Sequence, residues 1–306
     1  MKRKESILNI LPTRIRAFML KEELDFDQLE EIRMRTGRPL LFRYGGKERT
    51  LLKSPVYVVQ PEDIRETLQY ASGYSLYAYE HEMGRGYMTT EGGHRIGMAG
   101  QAIREGEDVT SLKYISSINI RIAHQIVGCA EPYMEYLFDE DKLQNTLIIS
   151  PPGCGKTTLL RDFIRQISDG SEYMKGISVG VVDERSEIGG SYMGMIQNDL
   201  GIRTDLLDAC PKAEGMMMLI RSMSPRMIAV DEIGSEKELK AIHHALNCGC
   251  NILATVHGNS IEDVRKKPGF GEIFDERIFC RFVVLKAGKH PGQLEGIYDE
   301  TGERIC

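Results

Sequence analysis

Short apolar runs and segments of helical spacing alternate in the second half of the chain. The apolar runs are TLIIS, ISVGVVDE, RMIAVDEI, NILATVH and FCRFVVL. Near-continuous Val, Ile and Leu is typical of strands buried on both faces, and helix-length segments between such strands favour parallel pairing. The pattern therefore predicts a three-layer α/β domain with a mainly parallel sheet, whose ligand site lies at the carboxyl ends of the strands.

The first half of the chain follows a different pattern. Apolar residues at helical spacing in ESILNILPTRIRAFML predict a helix, as do the acids that open DFDQLEEIRMR and the start of PEDIRETLQYA. GYMTTEGGHRIGMAGQAI and SSINIRIA have glycines at turn positions and predict hairpins or a small sheet. We therefore expect a smaller N-terminal α+β domain over residues 1–125, a connector with a helix over 126–145, and the α/β domain over 146–306.

The composition is that of an ordinary soluble protein of two domains. The chain has 306 residues, of which 42% are hydrophobic and 27% charged, and domains commonly contain roughly 100–200 residues. Its formal net charge is −6. This balance provides no overall basic field to attract nucleic acid, and we expect no specific nucleic-acid partner.

The start of the chain and the cysteines indicate the cellular compartment of the protein. MKRKESILNILPTRIRAF lacks the apolar core of a signal peptide, and no run approaches the roughly 18 apolar residues of a spanning helix. The seven cysteines lack the usual zinc spacing, so we expect free thiols in a reducing compartment. These features predict a cytoplasmic protein whose contact with a membrane is peripheral.

The stretch NTLIISPPGCGKTTLLRD, residues 145–162, indicates a phosphate-binding loop. The fingerprint G-x-x-x-x-G-K-[ST] has a glycine six residues before its lysine, and this chain has Ser150 there. The rest of the loop is kept, and it opens an amphipathic helix whose N-terminus would face the phosphates. A serine suffices at the strand end if its φ is negative, so we expect a working ATP site. The predicted nucleotide-binding residues of the loop are Ser150, Pro151, Pro152, Gly153, Cys154, Gly155, Lys156, Thr157 and Thr158.

Two acids end the strand in RMIAVDEI. Asp231 is placed to hold Mg²⁺, directly or through water, opposite the hydroxyl of Thr157. Glu232 is placed to orient and deprotonate the attacking water. An acid pair at a strand end often only caps a helix, but its combination with a phosphate loop favours ATP hydrolysis. The predicted fold class is thus a RecA-like P-loop NTPase domain, and the predicted activity is that of a Mg-dependent ATPase.

Two further strand ends have polar groups. VGVVDERSE ends with Asp183 and Glu184, and ILATVHGNS with Thr255 and His257. A lone histidine is more often structural, but this one lies at the end of a core strand, where it suits a γ-phosphate sensor. The candidate catalytic residues are Lys156, Glu232 and His257.

Longer segments resemble known families. MMLIRSMSPRMIAVDEIGSEKELKAIHHALNCGCNILATVHGNS resembles the ATPase domains of type II and type IV secretion motors. This resemblance matches Asp183 and Glu184 to the acidic box of those motors, at the nucleotide site, and His257 to their histidine box. Over nearly the whole chain, the resemblance is to the stage III sporulation protein AA family, through EEIRMRTGRPL, GYMTTEGGHRIGMAGQA, INIRIAHQIVGCA, RTDLLDACPKAEGMMMLIRSMSP and AVDEIG.

Membership of that family would imply an ATP-hydrolysing motor that forms a ring, with a hexamer as the expected assembly. It would lie in the mother cell, peripherally at the membrane facing the forespore, and energise the channel complex between the two cells. In the motors that the chain resembles, arginines of the N-terminal domain approach the nucleotide. The candidates here are Arg95 and Arg121. The four-cysteine zinc element of some type II motors is missing, so we expect no metal besides Mg²⁺.

Two other functions stay open at this point. A RecA-like nucleic-acid motor would have the same core, and the acidic composition counts against it. A nucleotide-dependent scaffold or switch with little turnover would have the same loop, and Glu232 counts against that function. Stimulation of ATP hydrolysis by DNA would favour the first alternative, and a turnover assay on pure protein tests the second.

Overall fold

A computed structural model describes residues 2–22, 24–50, 56–75, 79–106, 108–140, 142–171, 175–286 and 292–306. The chain forms two compact units. Unit 1 comprises Met1–His124 and Gly190–Gln197, and unit 2 comprises Gln125–Gly189 and Asn198–Cys306. The return of residues 190–197 to unit 1 was not anticipated from the sequence, and the division into functional domains stays a prediction.

Unit 1 contains helices and one antiparallel sheet. Its described elements are α1 (Lys2–Asn9), α2 (Thr13–Lys21), β1 (Leu29–Arg35), β2 (Leu41–Tyr44), β3 (Lys47–Thr50), α3 (Pro61–Ala71), α4 (Glu80–Gly84), β4 (Tyr87–Thr89), a 3₁₀ turn (Glu91–Gly93), β5 (Arg95–Glu105) and β6 (Asp108–Arg121). The strand order is β3-β2-β1-β6-β5-β4, and every neighbouring pair is antiparallel. Ile15 and Met19 of α2 lie in one core with Ile32 and Met34 of β1.

The helix predicted over DFDQLEEIRMR is wrong, because its second half forms β1. Ile32 and Met34 are buried, while Arg33 between them is partly exposed, an alternation with the period of a strand. β1 pairs with both β2 and β6. Pairing with strands that are distant in sequence, on both edges of β1, thus outweighs the local preference for a helix that the acidic start of the segment indicates.

Unit 2 begins with two 3₁₀ turns, Glu131–Tyr133 and Glu135–Leu137, in place of the helix predicted in the connector. Ala130, Met134 and Leu137 are buried in the core of unit 2. The segment packs as irregular chain because these apolar contacts, rather than local helix formation, determine its path.

The other described elements of unit 2 alternate strands and helices. They are β7 (Phe138–Asp139), β8 (Lys142–Leu143), β9 (Thr146–Ser150), α5 (Lys156–Asp169), β10 (Val179–Asp183), β11 (Thr204–Asp208), α6 (Lys212–Met223), β12 (Met227–Val230), α7 (Glu236–Asn247), β13 (Asn251–His257), α8 (Ile261–Arg265), α9 (Phe270–Asp275), β14 (Arg281–Leu285) and β15 (Leu294–Asp299). The main sheet has the order β11-β10-β12-β13-β9-β14-β15, and all its pairs are parallel except β14 with β15.

The central strands of the main sheet are buried on both faces. Successive residues of β9 point to opposite faces, so Ile149 lies in one core cluster with Ile242 of α7. Ile148 lies in a second cluster with Phe163 of α5. Unit 2 therefore has the three layers that its apolar runs predict, and the carboxyl ends of its parallel strands lie along one edge.

The described residues also bear on membrane crossing and on the state of the cysteines. No helix there combines the length and apolar character that a membrane crossing requires. All seven cysteines lie in described parts of the chain, and all are free.

Candidate functional site

The loop between β9 and α5 has the conformation that a phosphate loop requires. Gly153 and Gly155 have φ of 74° and 88°, in the left-handed region that side chains disfavour. Gly155 is the N-cap of α5, so the first backbone N–H groups of this helix face the loop. The positive end of the helix dipole lies there too, and an anion would be stabilised at this position.

Ser150 fits the first loop position without strain. It is fully buried, and it is not among the described residues with positive φ. Its hydroxyl donates to the carbonyl of Pro151 over 2.8 Å, and its own carbonyl accepts from Gly258 N over 3.2 Å. The condition under which a serine was expected to suffice is therefore met, although the residue's part in nucleotide binding stays a prediction.

The candidate magnesium residues lie in direct contact. Thr157 Oγ1 donates to Asp231 Oδ2 over 2.8 Å. Thr255 Oγ1 donates to the other carboxylate oxygen, Asp231 Oδ1, which also lies 3.5 Å from Lys156 Nζ. These residues meet because β9, β13 and β12 are adjacent parallel strands that end along the same edge.

Glu232 is at the centre of a second set of contacts. Lys156 Nζ donates to Glu232 Oε1 over 2.8 Å, and His257 Nε2 lies 3.0 Å from the same oxygen. Arg185 Nη1 donates to Glu232 Oε2 over 3.0 Å. The structure thus brings together all three candidate catalytic residues, and it adds Arg185, whose contact with Glu232 the sequence does not predict.

The backbone of Glu232 is held in an unusual conformation. Its φ is 50°, and a non-glycine residue in that region costs about 1–3 kcal/mol. Glu232 N donates to Thr255 Oγ1 over 2.9 Å, and Ile233 N donates to the carbonyl of Thr255 over 2.9 Å. Hydrogen bonds from β13 therefore hold the strained residue in place, and strain of this kind is concentrated at functional sites.

Charges around Glu232 keep it ionised. Partial burial opposes the negative charge, but Lys156, His257 and Arg185 outweigh that effect and hold the pKa of Glu232 below its ordinary value. At neutral pH the residue is therefore a carboxylate that is neutralised by its neighbours.

The two acids at the end of β10 have different surroundings. Asp183 is buried, and its carboxylate accepts hydrogen bonds from the backbone N–H groups of residues 187, 188 and 189, at 2.8, 2.9 and 2.8 Å. Burial raises the pKa of Asp183 to about 6 even so. Glu184 instead forms an ion pair of 2.7 Å with Lys212. Asp183 thus shapes the turn after β10, and both Asp183 and Glu184 line the same small cavity as Asp231 and Glu232. Their part in nucleotide binding stays a prediction.

Arg95 and Arg121 lie directly opposite each other on β5 and β6 of unit 1. Arg121 also lies opposite Glu31 of β1. The Arg95 guanidinium carbon is 3.6 Å from the centroid of the Tyr87 ring, a cation–π arrangement. Their approach to a nucleotide stays a prediction.

The residues around Asp231 suit Mg²⁺. No group of three or more His, Cys, Asp or Glu side chains that could hold a metal ion occurs in the described parts of the chain. Magnesium at a nucleotide site usually takes one or two protein ligands and completes its shell with waters and phosphate oxygens. The hydroxyl of Thr157 beside the carboxylate of Asp231 provides oxygen ligands of that kind.

Three comparisons relate the chain to known proteins. The family model of Sporulation stage III, protein AA matches residues 1–305. Stage III sporulation protein AA of Bacillus subtilis (strain 168) is 46% identical over 279 residues, which are 90% of this chain and 88% of that protein.

Solved ATPase structures have the same fold. The Legionella pneumophila ATPase DotB aligns with a TM-score of 0.57 at 16% identity, over 88% of this chain and 75% of that one. The pilus retraction motor PilT, solved with bound ADP, aligns with a TM-score of 0.60 at 13% identity, over 89% of this chain and 76% of that one. The α/β, RecA-like fold class predicted from the sequence is confirmed.

Proposed function

The chain belongs to the Sporulation stage III, protein AA family, and we propose that it is a Mg-dependent ATPase that acts as a secretion-type motor. The observation that carries this proposal is the set of contacts among the loop lysine, the loop threonine, the two acids and the histidine. Hydrogen-bond contacts of 2.8 to 3.0 Å join Lys156 to Glu232, Thr157 to Asp231, and His257 to Glu232. Lys156 also forms ion pairs with both acids.

Each of these residues has a role that its contacts support. Lys156 neutralises the β- and γ-phosphates of ATP. To reach them, its ammonium leaves the carboxylate of Glu232. Thr157 and Asp231 hold Mg²⁺, which neutralises charge on the phosphate oxygens when it is bound. Glu232 accepts the proton of the attacking water. His257 and Arg185 orient the carboxylate of Glu232.

The proposed motor function concerns an assembly of several subunits. We propose a ring of identical subunits, a hexamer by similarity to secretion ATPases, that lies in the mother cell against the membrane facing the forespore. There it energises a channel complex. The family membership and the fold shared with DotB and PilT support this proposal.

The proposal is tested with the purified full chain. Phosphate release from ATP is measured with and without Mg²⁺ at increasing protein concentration, and sedimentation follows assembly in the same samples. We expect Mg-dependent release whose specific activity rises as larger species form. Absence of release at every concentration would favour a nucleotide-dependent scaffold, and stimulation by DNA alone would favour a nucleic-acid motor.

A further inference from the structure

Lys212, the first residue of α6, is a buried cation that the proposed mechanism does not use. Its side chain is only 9% exposed, and its Nζ lies 2.7 Å from Glu184 Oε2 and 3.2 Å from Glu238 Oε1. Burial opposes its charge, but the two carboxylates outweigh burial and hold the pKa of Lys212 above its ordinary value. A charged ammonium therefore joins two acids from different elements.

Both acids are close in sequence to the candidate site. Glu184 follows the last residue of β10, and Glu238 lies in the first turn of α7. Glu238 Oε2 accepts hydrogen bonds from the backbone N–H groups of Gly234 and Ser235, both over 2.8 Å. Those two residues directly follow Ile233 and the strained Glu232, so Glu238 fixes the chain on the helix side of the proposed base.

The position of Glu232 therefore depends on two anchors. Thr255 of β13 accepts a hydrogen bond from the N–H of Glu232. Glu238 accepts hydrogen bonds from the backbone that follows Glu232. Lys212 in turn holds Glu238 and joins it to the end of β10, the neighbour of β12 in the sheet. Lys212, Glu184, Asp231 and Glu232 also line one small cavity, so the ion pairs bridge the space between the two strand ends.

We propose that Lys212 is a positioning residue for the hydrolytic site, which it serves by holding the loops after β10 and β12 at a fixed separation through Glu184 and Glu238. This inference rests on the proposed ATPase function. Lys212 contacts neither Lys156 nor Asp231 among the hydrogen bonds and ion pairs of the described residues. Its loss should therefore reduce the chemical step more than nucleotide binding, which depends mainly on the phosphate loop.

The test compares kcat and the Kd for ATP in three variants of the full chain. Lys212→Met removes the charge, Lys212→Arg keeps it, and Lys240→Met is the control. Lys240 is an exposed lysine whose ion pair, with Glu236, lies within α7. We expect Lys212→Met to lower kcat roughly 10- to 100-fold, as misplaced supporting groups do, with Kd changed less than about threefold. Lys212→Arg should recover most of the rate, and Lys240→Met should behave as the parent.

A purely structural role gives a different result. If Lys212→Met folds and retains the parent kcat, or if kcat and ATP affinity fall together, Lys212 is not a positioning residue. Lys212→Met leaves two acids without their cation, so the double variant Lys212→Gln/Glu238→Gln, which keeps the net charge of the cluster, provides the same test if the single variant does not fold. Failure of the parent to hydrolyse ATP would instead contradict the proposed function itself.

Discussion

The Lys156 ammonium donates a hydrogen bond to Glu232 Oε1 over 2.8 Å, so the proposed phosphate clamp and the proposed base neutralise each other. The Lys156 side chain is buried, at 7% exposure, and that of Glu232 is partly buried, at 25%, so the pair is screened less by solvent than it would be on the surface. An incoming phosphate must therefore compete with Glu232 for Lys156. This competition determines how variants of the two residues should differ.

Lys156→Ala should abolish ATP binding. The variant loses the cation that neutralises the phosphates, and it also leaves the Glu232 carboxylate beside the position that they would take. Titration with a fluorescent ATP analogue measures the effect, with Lys237→Ala, an exposed lysine of α7, as the control. Near-normal binding by Lys156→Ala would contradict the assignment of the phosphate loop.

Ser150→Gly should leave ATPase activity similar to that of the parent, or higher. Among the described residues, the hydrogen bond of the Ser150 hydroxyl is to the carbonyl of the adjacent Pro151, and glycine restores the usual residue of the loop at a cost in stability of about 1 kcal/mol or less. Steady-state kcat/KM values for parent and variant provide the measurement. A large loss of activity would show that the hydroxyl has a role in the reaction.

His94 should make the stability of unit 1 sensitive to acid. The ring is buried, its Nδ1 accepts a hydrogen bond from Ala123 N over 3.1 Å, and its Nε2 lies 2.9 Å from Ser6 Oγ. Burial, aided by the charge of Arg3, lowers the pKa of His94 to about 4. The unfolded chain titrates near 6.5, so this contribution to stability is present above that pH and is lost as the pH falls toward 4.

Between pH 7.5 and 5, protonation of His94 in the unfolded chain should cost unit 1 about 2 kcal/mol. His94→Gln keeps an acceptor and a donor without a titrating ring, and its free energy of unfolding should lose this part of the pH dependence. His244→Gln, at an exposed histidine of α7, is the control. Equal pH dependence in the parent and His94→Gln, measured by denaturant titration, would refute the expectation.

An arginine of unit 1 should complete the site of a neighbouring subunit if the ring forms as proposed. Because Arg121 is the better-placed candidate by sequence, just before the boundary of the unit, Arg121→Ala should lower turnover, and Arg95→Ala is the parallel variant. Mixing Arg121→Ala with Lys156→Ala subunits should restore part of the activity, since some mixed interfaces contain one intact composite site. No recovery on mixing, with specific activity constant down to monomeric protein, would show that hydrolysis needs no neighbour.

The sequence predicted the parallel sheet because strands buried on both faces leave a continuous apolar signal, as TLIIS and NILATVH do. The sequence predicts a helix where β1 lies, because the acids before it resemble a helix start, whereas the pairing partners of β1 are distant in sequence. The predictions of the phosphate loop and of the acid pair rest on local motifs.

Contacts that depend on tertiary placement were not predictable in the same way. Ser235-x-x-Glu238 has the spacing of a capping box, and the structure contains that motif. Nothing in the sequence indicates that Glu238 also meets Lys212, or that Arg185 reaches Glu232. The spatial roles of those residues follow only from the order of the strands.

The central claim, that ATP displaces Glu232 from Lys156 and that Glu232 then acts as the base, is tested most directly with Glu232→Gln. Binding affinity and turnover are measured on the same preparation, with His257→Ala as a second variant that should bind ATP and turn over more slowly. Without the competing carboxylate, Glu232→Gln should bind Mg·ATP more tightly than the parent, while its turnover falls by a factor on the order of 10²–10⁴. Weaker binding by Glu232→Gln, or hydrolysis at the parent rate, would contradict the account.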